Sequence, residues 1–127
     1  MTTPTIVTAA VPNPCRGEVW LLDLTGGGGA EIDKVRPAVV VSSDAIKGGL
    51  PLKIVVPLTS WSDGFKTKLW HRQILPTAAN GLGNTSSADA LQVRSVTRLR
   101  FKQKLGVLRA TELQEIVAAV AIVLEYK

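Results

Sequence analysis

The chain has one cysteine and one histidine among its 127 residues. A metal centre built on thiolate or imidazole needs three or four convergent ligands, so Cys15 and His71 cannot make one, and the expectation is a protein without a metal or other cofactor. A lone histidine also excludes a two-histidine ribonuclease. Placed between Trp70 and Arg72 on an alternating segment, His71 reads more readily as a packing group than as an acid or base. A single cysteine forms no intrachain disulfide, which suits a reducing, cytoplasmic setting. Long apolar runs are missing too. The longest, "IVAAVAIVL" at 116–124, has nine residues between Glu115 and Glu125, against the ~20 that span a bilayer, so no membrane association is expected. The opening "MTTPTIVTAAVPNP" lacks the basic and apolar regions of a signal peptide and reads as a flexible extension over 1–15. The glycine run "GGGGAEIDK" lacks the Lys-Ser/Thr ending of a phosphate-binding loop, and serine-nucleophile motifs are absent.

What remains is the composition of one globular domain, assigned to residues 16–127, with 46% hydrophobic and 20% charged residues. Fifteen Lys and Arg face ten Asp and Glu, a net charge of +5, which favours an anionic partner, nucleic acid being the commonest. "GEVWLLDL" (17–24), "RPAVVVSS" (36–43) and "LKIVVPLTS" (52–60) are short β-forming runs bounded by turn residues. "KLWHRQILP" (68–76) and "ADALQVRSV" (88–96) alternate as half-buried strands do. In the second, Leu91 and Val93 are expected to pack while Gln92 and Arg94 share the opposite face. Thr111 and Gln114 form a capping-box pattern, and Leu113, Ile116, Val117, Val120 and Leu124 recur at helical spacing. The fold class is therefore mainly β with a C-terminal helix, in a small barrel-like sheet.

Two features stay open at this level. The loop "TGGGGAEID" (25–33) is either a plain connector or a segment that closes over a substrate. Arg94, Arg98, Arg100, Lys102, Lys104 and Arg109 occur with no acidic residue between Asp89 and Glu112, and this stripe suits either a phosphate backbone or a solvated strand edge. Trp61, in a turn, is the better base-stacking candidate, whereas Trp70 reads as core.

The stretches "RGEVWLLDL", "KVRPAVVVSSDA", "VVPLTS", "ALQVRSV" and "KLGVL", in this order and spacing, resemble the MazF/PemK family of toxin ribonucleases. The resemblance runs from Arg16 to the terminal helix. It implies an SH3-like barrel related to the CcdB toxins, a homodimer, metal-independent cleavage of single-stranded mRNA, and silencing by a cognate antitoxin. By position it implies Arg36 and Thr59 as catalytic residues, with Glu31, Lys34, Ser60, Trp61, Gln92 and Arg94 as RNA contacts. Ser95 stands where the family usually has threonine, and the tetraglycine run and N-terminal tail are less typical. The competing readings are a CcdB-like poison of DNA gyrase and a silent RNA-binding barrel.

The residue chemistry agrees with the implied reaction. Attack of a ribose 2'-OH on the adjacent phosphorus builds negative charge on a phosphorane, which a planar, permanently charged guanidinium stabilises. A threonine hydroxyl at the end of a neighbouring strand can donate to a non-bridging oxygen.

Overall fold

The computed structural model describes residues 11–45 and 51–126. Seven strands, β1 (Glu18–Asp23), β2 (Val35–Val40), β3 (Leu52–Ser60), β4 (His71–Ile74), β5 (Ser86–Asp89), β6 (Arg94–Thr97) and β7 (Phe101–Val107), precede one helix, α1 (Ala110–Val123). Every pairing is antiparallel. The mainly β class with a C-terminal helix is as read from the sequence. The strands follow an open path, β4-β5-β3-β2-β1-β7, with β6 alongside the first half of β3, so the barrel-like sheet is not closed.

The central strands are buried on both sides. Val19, Val39, Val56 and Leu58 belong to one core with Ile116 of the helix, while Leu22, Ala38, Val40 and Val55 belong to a second core with Val96 and Phe101. Double-sided burial is why β2 and β3 carry near-continuous runs of valine instead of clean alternation.

Several expected boundaries move. The alternating segment 88–96 is not one strand: β5 ends at Asp89, a single 3-10 turn covers Ala90–Gln92, and β6 begins at Arg94. Asp89 drives the break, because its carboxylate accepts the Leu91 N–H at 3.1 Å, a local bond that competes with the ladder. Leu91 is consequently exposed instead of packed. Gln92 and Arg94 still face the same way, toward the backbone of residues 30–32. Strand β4 is shorter than expected, and Trp70 precedes it in a half-buried turn outside the core. The helix starts before Thr111, and its capping contact is the Glu112 carboxylate accepting the Arg109 N–H at 3.2 Å. Val11 and Pro12, at the start of the described chain, receive hydrogen bonds from the Arg98 guanidinium through their carbonyls, and Pro14 is fully buried.

Candidate active site

Strands β2 and β3 pair at Ala38–Pro57, Val39–Val56 and Val40–Val55. Continued two residues beyond the last pair, this register sets Arg36 opposite Thr59. The ladder stops there for a chemical reason: the next residue of β2 that faces β3 is Pro37, which has no N–H to give. Two strand ends thus lie side by side without a ladder between them, and their side chains share the face that carries Ala38 and Val55 further in.

The pair separates two small cavities and lines both. One, about 140 Å³, has Arg36, Thr59, Ser60, Leu82, Gly83 and Asn84 in its wall; the other, about 160 Å³, has Glu31, Ile32, Asp33, Lys34, Arg36 and Thr59. Among the described residues neither the Arg36 guanidinium nor the Thr59 hydroxyl has a hydrogen bond or ion pair within the protein. A permanent positive charge and a hydroxyl donor therefore face a common space with their hydrogen-bonding capacity uncommitted.

Two loops build the walls. The first, 25–34, is closed at its root by the Leu24 N–H donating to the Lys34 carbonyl at 3.1 Å. Gly26 and Gly29 hold φ of 101° and 62°, conformations that disfavour other residues. The second loop, 75–85, is tied down by Asn80. Its buried side chain accepts the Thr77 and Leu82 N–H groups, both at 3.0 Å, and donates to the Leu75 carbonyl at 2.9 Å. This loop lies directly on β7: a Cβ at Gly81 would sit 2.1 Å from the Leu105 carbonyl oxygen, and one at Gly106 the same distance from that of Ala79. Only glycine permits both approaches. Asn80, Leu82, Gly83 and Asn84 were not singled out from the sequence; the signal was the "NGLGN" turn itself.

Of the residues the resemblance pointed to, Arg36, Thr59 and Ser60 come together at one cavity, and Glu31 and Lys34 join Arg36 and Thr59 at the other. Trp61 lines neither; its ring meets Phe65 edge-on with centroids 5.8 Å apart, and its Nε1–H donates to Asp63 at 3.3 Å. Gln92 and Arg94 also stand outside both walls and bond to the loop backbone. Arg94 borders a larger apolar groove of about 420 Å³, shared with Val41, Ile54, Val117, Val120 and Leu124. Apart from Arg94 and Ser95 its lining is apolar, and the Arg94 guanidinium is engaged by the Ile32 carbonyl. His71 is a packing group: it stacks on Phe65 at 3.8 Å and its Nδ1 lies 2.8 Å from the Ser87 hydroxyl. Burial lowers its pKa, with Asp89 opposing the shift.

The basic stripe is largely structural. Arg100 donates to the carbonyls of Asp23 and Thr25 at 3.0 and 2.9 Å, and Lys104 pairs with Glu18 at 2.8 Å. Burial raises the Glu18 pKa, but hydrogen bonds from the Cys15 N–H, Lys104 and Trp20 outweigh it and hold the carboxyl below its ordinary range.

A family model described as the PemK-like, MazF-like toxin of type II toxin-antitoxin systems matches residues 15–124. The chain belongs to this PemK/MazF toxin family. It is 35% identical over 116 residues to the endoribonuclease MazF9 of Mycobacterium tuberculosis, covering 87% of this chain and 95% of that one. Among solved structures, MazF of Deinococcus radiodurans superposes with a TM-score of 0.73 at 28% identity, over 88% of this chain and 96% of that one. A MazE–MazF complex from Deinococcus radiodurans gives 0.66 at 25% identity, over 90% and 97%. The PemK/MazF match thus spans both loops, Arg36 and Thr59.

Proposed function

We propose that this PemK/MazF chain is the toxin of a type II pair and acts as an endoribonuclease on single-stranded mRNA, cutting at a short sequence and so inhibiting translation and growth. The observation that carries the reading is the cross-strand placement of Arg36 and Thr59, uncommitted, between two small cavities. The relatedness to MazF9, whose name states an endoribonuclease, supports the same class.

In the proposed reaction the 2'-oxygen attacks the adjacent phosphorus, the bond from phosphorus to the 5'-oxygen breaks, and the products are a 2',3'-cyclic phosphate and a 5'-hydroxyl. The 2'-hydroxyl proton is lost and the leaving oxygen gains one. Arg36 stabilises the charge that accumulates on the non-bridging oxygens, and Thr59 donates to one of them to hold the in-line geometry. The guanidinium supplies the positive charge without a metal ion. A permanently charged group suits charge stabilisation and not proton abstraction. Glu31, Lys34 and Ser60 contact the flanking nucleotides, Trp61 stacks on a base at the rim, and Gln92 and Arg94 reach the RNA through the loop they hold.

Two partners follow. A cognate antitoxin presents an acidic segment to Lys34 and Arg36, in keeping with the MazE–MazF complex of the Deinococcus relative. A second copy covers the apolar groove beside α1, where Ile54 and Leu124 are 45% and 67% exposed.

The test is cleavage of a long RNA in EDTA, followed by a short substrate in which the one ribose before the scissile phosphate is deoxyribose. Cutting of the first and retention without cutting of the second is the expected result. RNA held but never cut would replace the enzyme with a binding module, and no interaction with RNA would favour a protein target such as gyrase.

A further inference from the structure

The first loop is built in two unlike halves. Residues 26–29 are glycines, three of them exposed, and a Cβ at Gly26, Gly28 or Gly29 would meet nothing within 4 Å. Residues 30–32 are held from outside the loop. The Gln92 side chain accepts the Ile32 N–H through Oε1 at 3.4 Å and donates through Nε2 to the Ala30 carbonyl at 3.1 Å. These two groups flank Glu31 and point the same way, so the carboxamide makes the contacts that a neighbouring parallel strand would make to one residue. The Arg94 guanidinium donates to the Ile32 carbonyl at 3.4 Å. The Ile32 side chain packs against the second core, and the Glu31 N–H donates to the Gly28 carbonyl at 3.2 Å.

We infer that Gln92 is a positioning residue for the proposed cleavage: its carboxamide latches the loop so that Glu31 and Ile32 form the wall of the cavity beside Arg36 and Thr59. The inference rests on the function proposed above and adds the device that shapes its site. Four consecutive glycines carry large conformational entropy, and without an external clamp the segment would sample many arrangements. With the clamp, that freedom is confined to 26–29, and Glu31 is presented at a fixed place in the cavity. Gln92 has the geometry because Asp89 ends β5 and the 3-10 turn directs residue 92 across to the loop, 60 residues away in the chain. Arg94 holds the carbonyl of the same residue, Ile32, as a second support.

The experiment has two readouts, one of them independent of RNA. In the RNA-free protein, Gln92→Ala should raise hydrogen exchange at the Ile32 amide about tenfold, since two hydrogen bonds of ordinary net strength are removed. The single-turnover cleavage rate at saturating RNA should fall by a similar factor with the preferred bases unchanged. Gly28→Ala adds no clash and lies outside the left-handed region, so it stiffens the free half of the loop and should restore two- to fivefold of the lost rate in the Gln92→Ala background. Should Gln92→Ala fail to fold, Gln92→Glu answers the same question. It keeps the shape and the acceptor for Ile32 but sets a carboxylate against the Ala30 carbonyl, and exchange at Ile32 should still rise. Unchanged exchange in the folded variant, or slower cutting with an altered base preference, would overturn the latch in favour of direct RNA contact. If the wild-type chain leaves RNA uncut, the proposed function falls while the exchange result still decides whether the loop is latched.

Discussion

Arg36 and Arg100 stand near the same loop root and behave in opposite ways. Arg100 donates to the carbonyls of Asp23 and Thr25, tying the end of β1 to the start of the loop. The guanidinium of Arg36, a residue across from Leu22 of that same strand, makes no bond to the described protein. A guanidinium satisfied by carbonyls contributes to the fold, whereas one that faces a cavity with its donors open is prepared for an outside anion. The difference teaches where the net charge of +5 acts. The run of cations from 94 to 104 is the more conspicuous in the sequence, yet Arg94, Arg98, Arg100 and Lys104 are bonded within the protein, whereas the arginine ahead of a proline keeps its donors open toward a cavity.

The sharpest way to break this comparison is to remove each arginine in turn. Arg36→Ala should lower the cleavage rate by ~10²- to 10³-fold or more while the unfolding free energy stays within about 0.5 kcal/mol of wild type. Arg100→Ala should do the reverse, destabilising the fold by about 1–3 kcal/mol with a far smaller effect on rate. Stopped-time cleavage and urea denaturation on the same preparations check both. A folded Arg36→Ala protein with near-normal turnover would place the chemistry elsewhere.

Thr59→Val sharpens the same contrast across the strand pair. It keeps the β-branched shape, so the change isolates the hydroxyl. Losing one donor aimed at a developing charge should slow cleavage ~10²-fold, less than the loss of Arg36, with little change in melting. Equal turnover by the valine variant would reduce Thr59 to a strand residue.

The two loops invite a third test. Loop 75–85 is fixed from within by Asn80, whereas loop 25–34 is fixed from outside by Gln92. Asn80→Ala leaves the buried Leu82 N–H and the Thr77 N–H without their acceptor and should cost about 2–3 kcal/mol in denaturant unfolding, with cleavage falling only as Leu82 and Gly83 shift. A variant as stable as wild type would show that the Asn80 bonds contribute nothing net.

Much of the fold was legible because its signals were local and repeated. The valine runs of β2 and β3 and the apolar spacing of α1 each follow from burial on known faces. Arg36 and Thr59 stood out through the family motif, but the reason they meet, a register ended by Pro37, belongs to the pairing of strands whose partners no short window identifies. Gln92 was legible as a site residue and not as a clamp, since its partners Ala30 and Ile32 are about 60 residues away. The turn at 90–92 was hidden by a pattern of alternation that Asp89 interrupts with one side-chain bond, and Trp70 lost its core assignment when β4 began one residue after it.

The smallest expected effect concerns His71, the only imidazole in the chain. It lines neither cavity, so His71→Gln should leave the cleavage rate and its pH profile close to wild type. Its effect should appear in stability. Burial holds the folded imidazole below its ordinary pKa near 6.5, so between the two values the unfolded chain binds a proton that the folded chain declines. Stability therefore rises with pH across that window. It is fully present above about pH 6.5 and is lost as the pH falls through 6.5 to the folded value, below which the loss is complete. Glutamine can hydrogen-bond to the Ser87 hydroxyl but has no proton to gain, so the variant should lack this part of the acid destabilisation. Melting midpoints taken from pH 7.5 down to pH 5 on both proteins check the sign. Parallel curves would show that the stacked ring beside Phe65 takes up its proton as easily folded as unfolded, and a cleavage profile that moved with the substitution would return His71 to the chemistry.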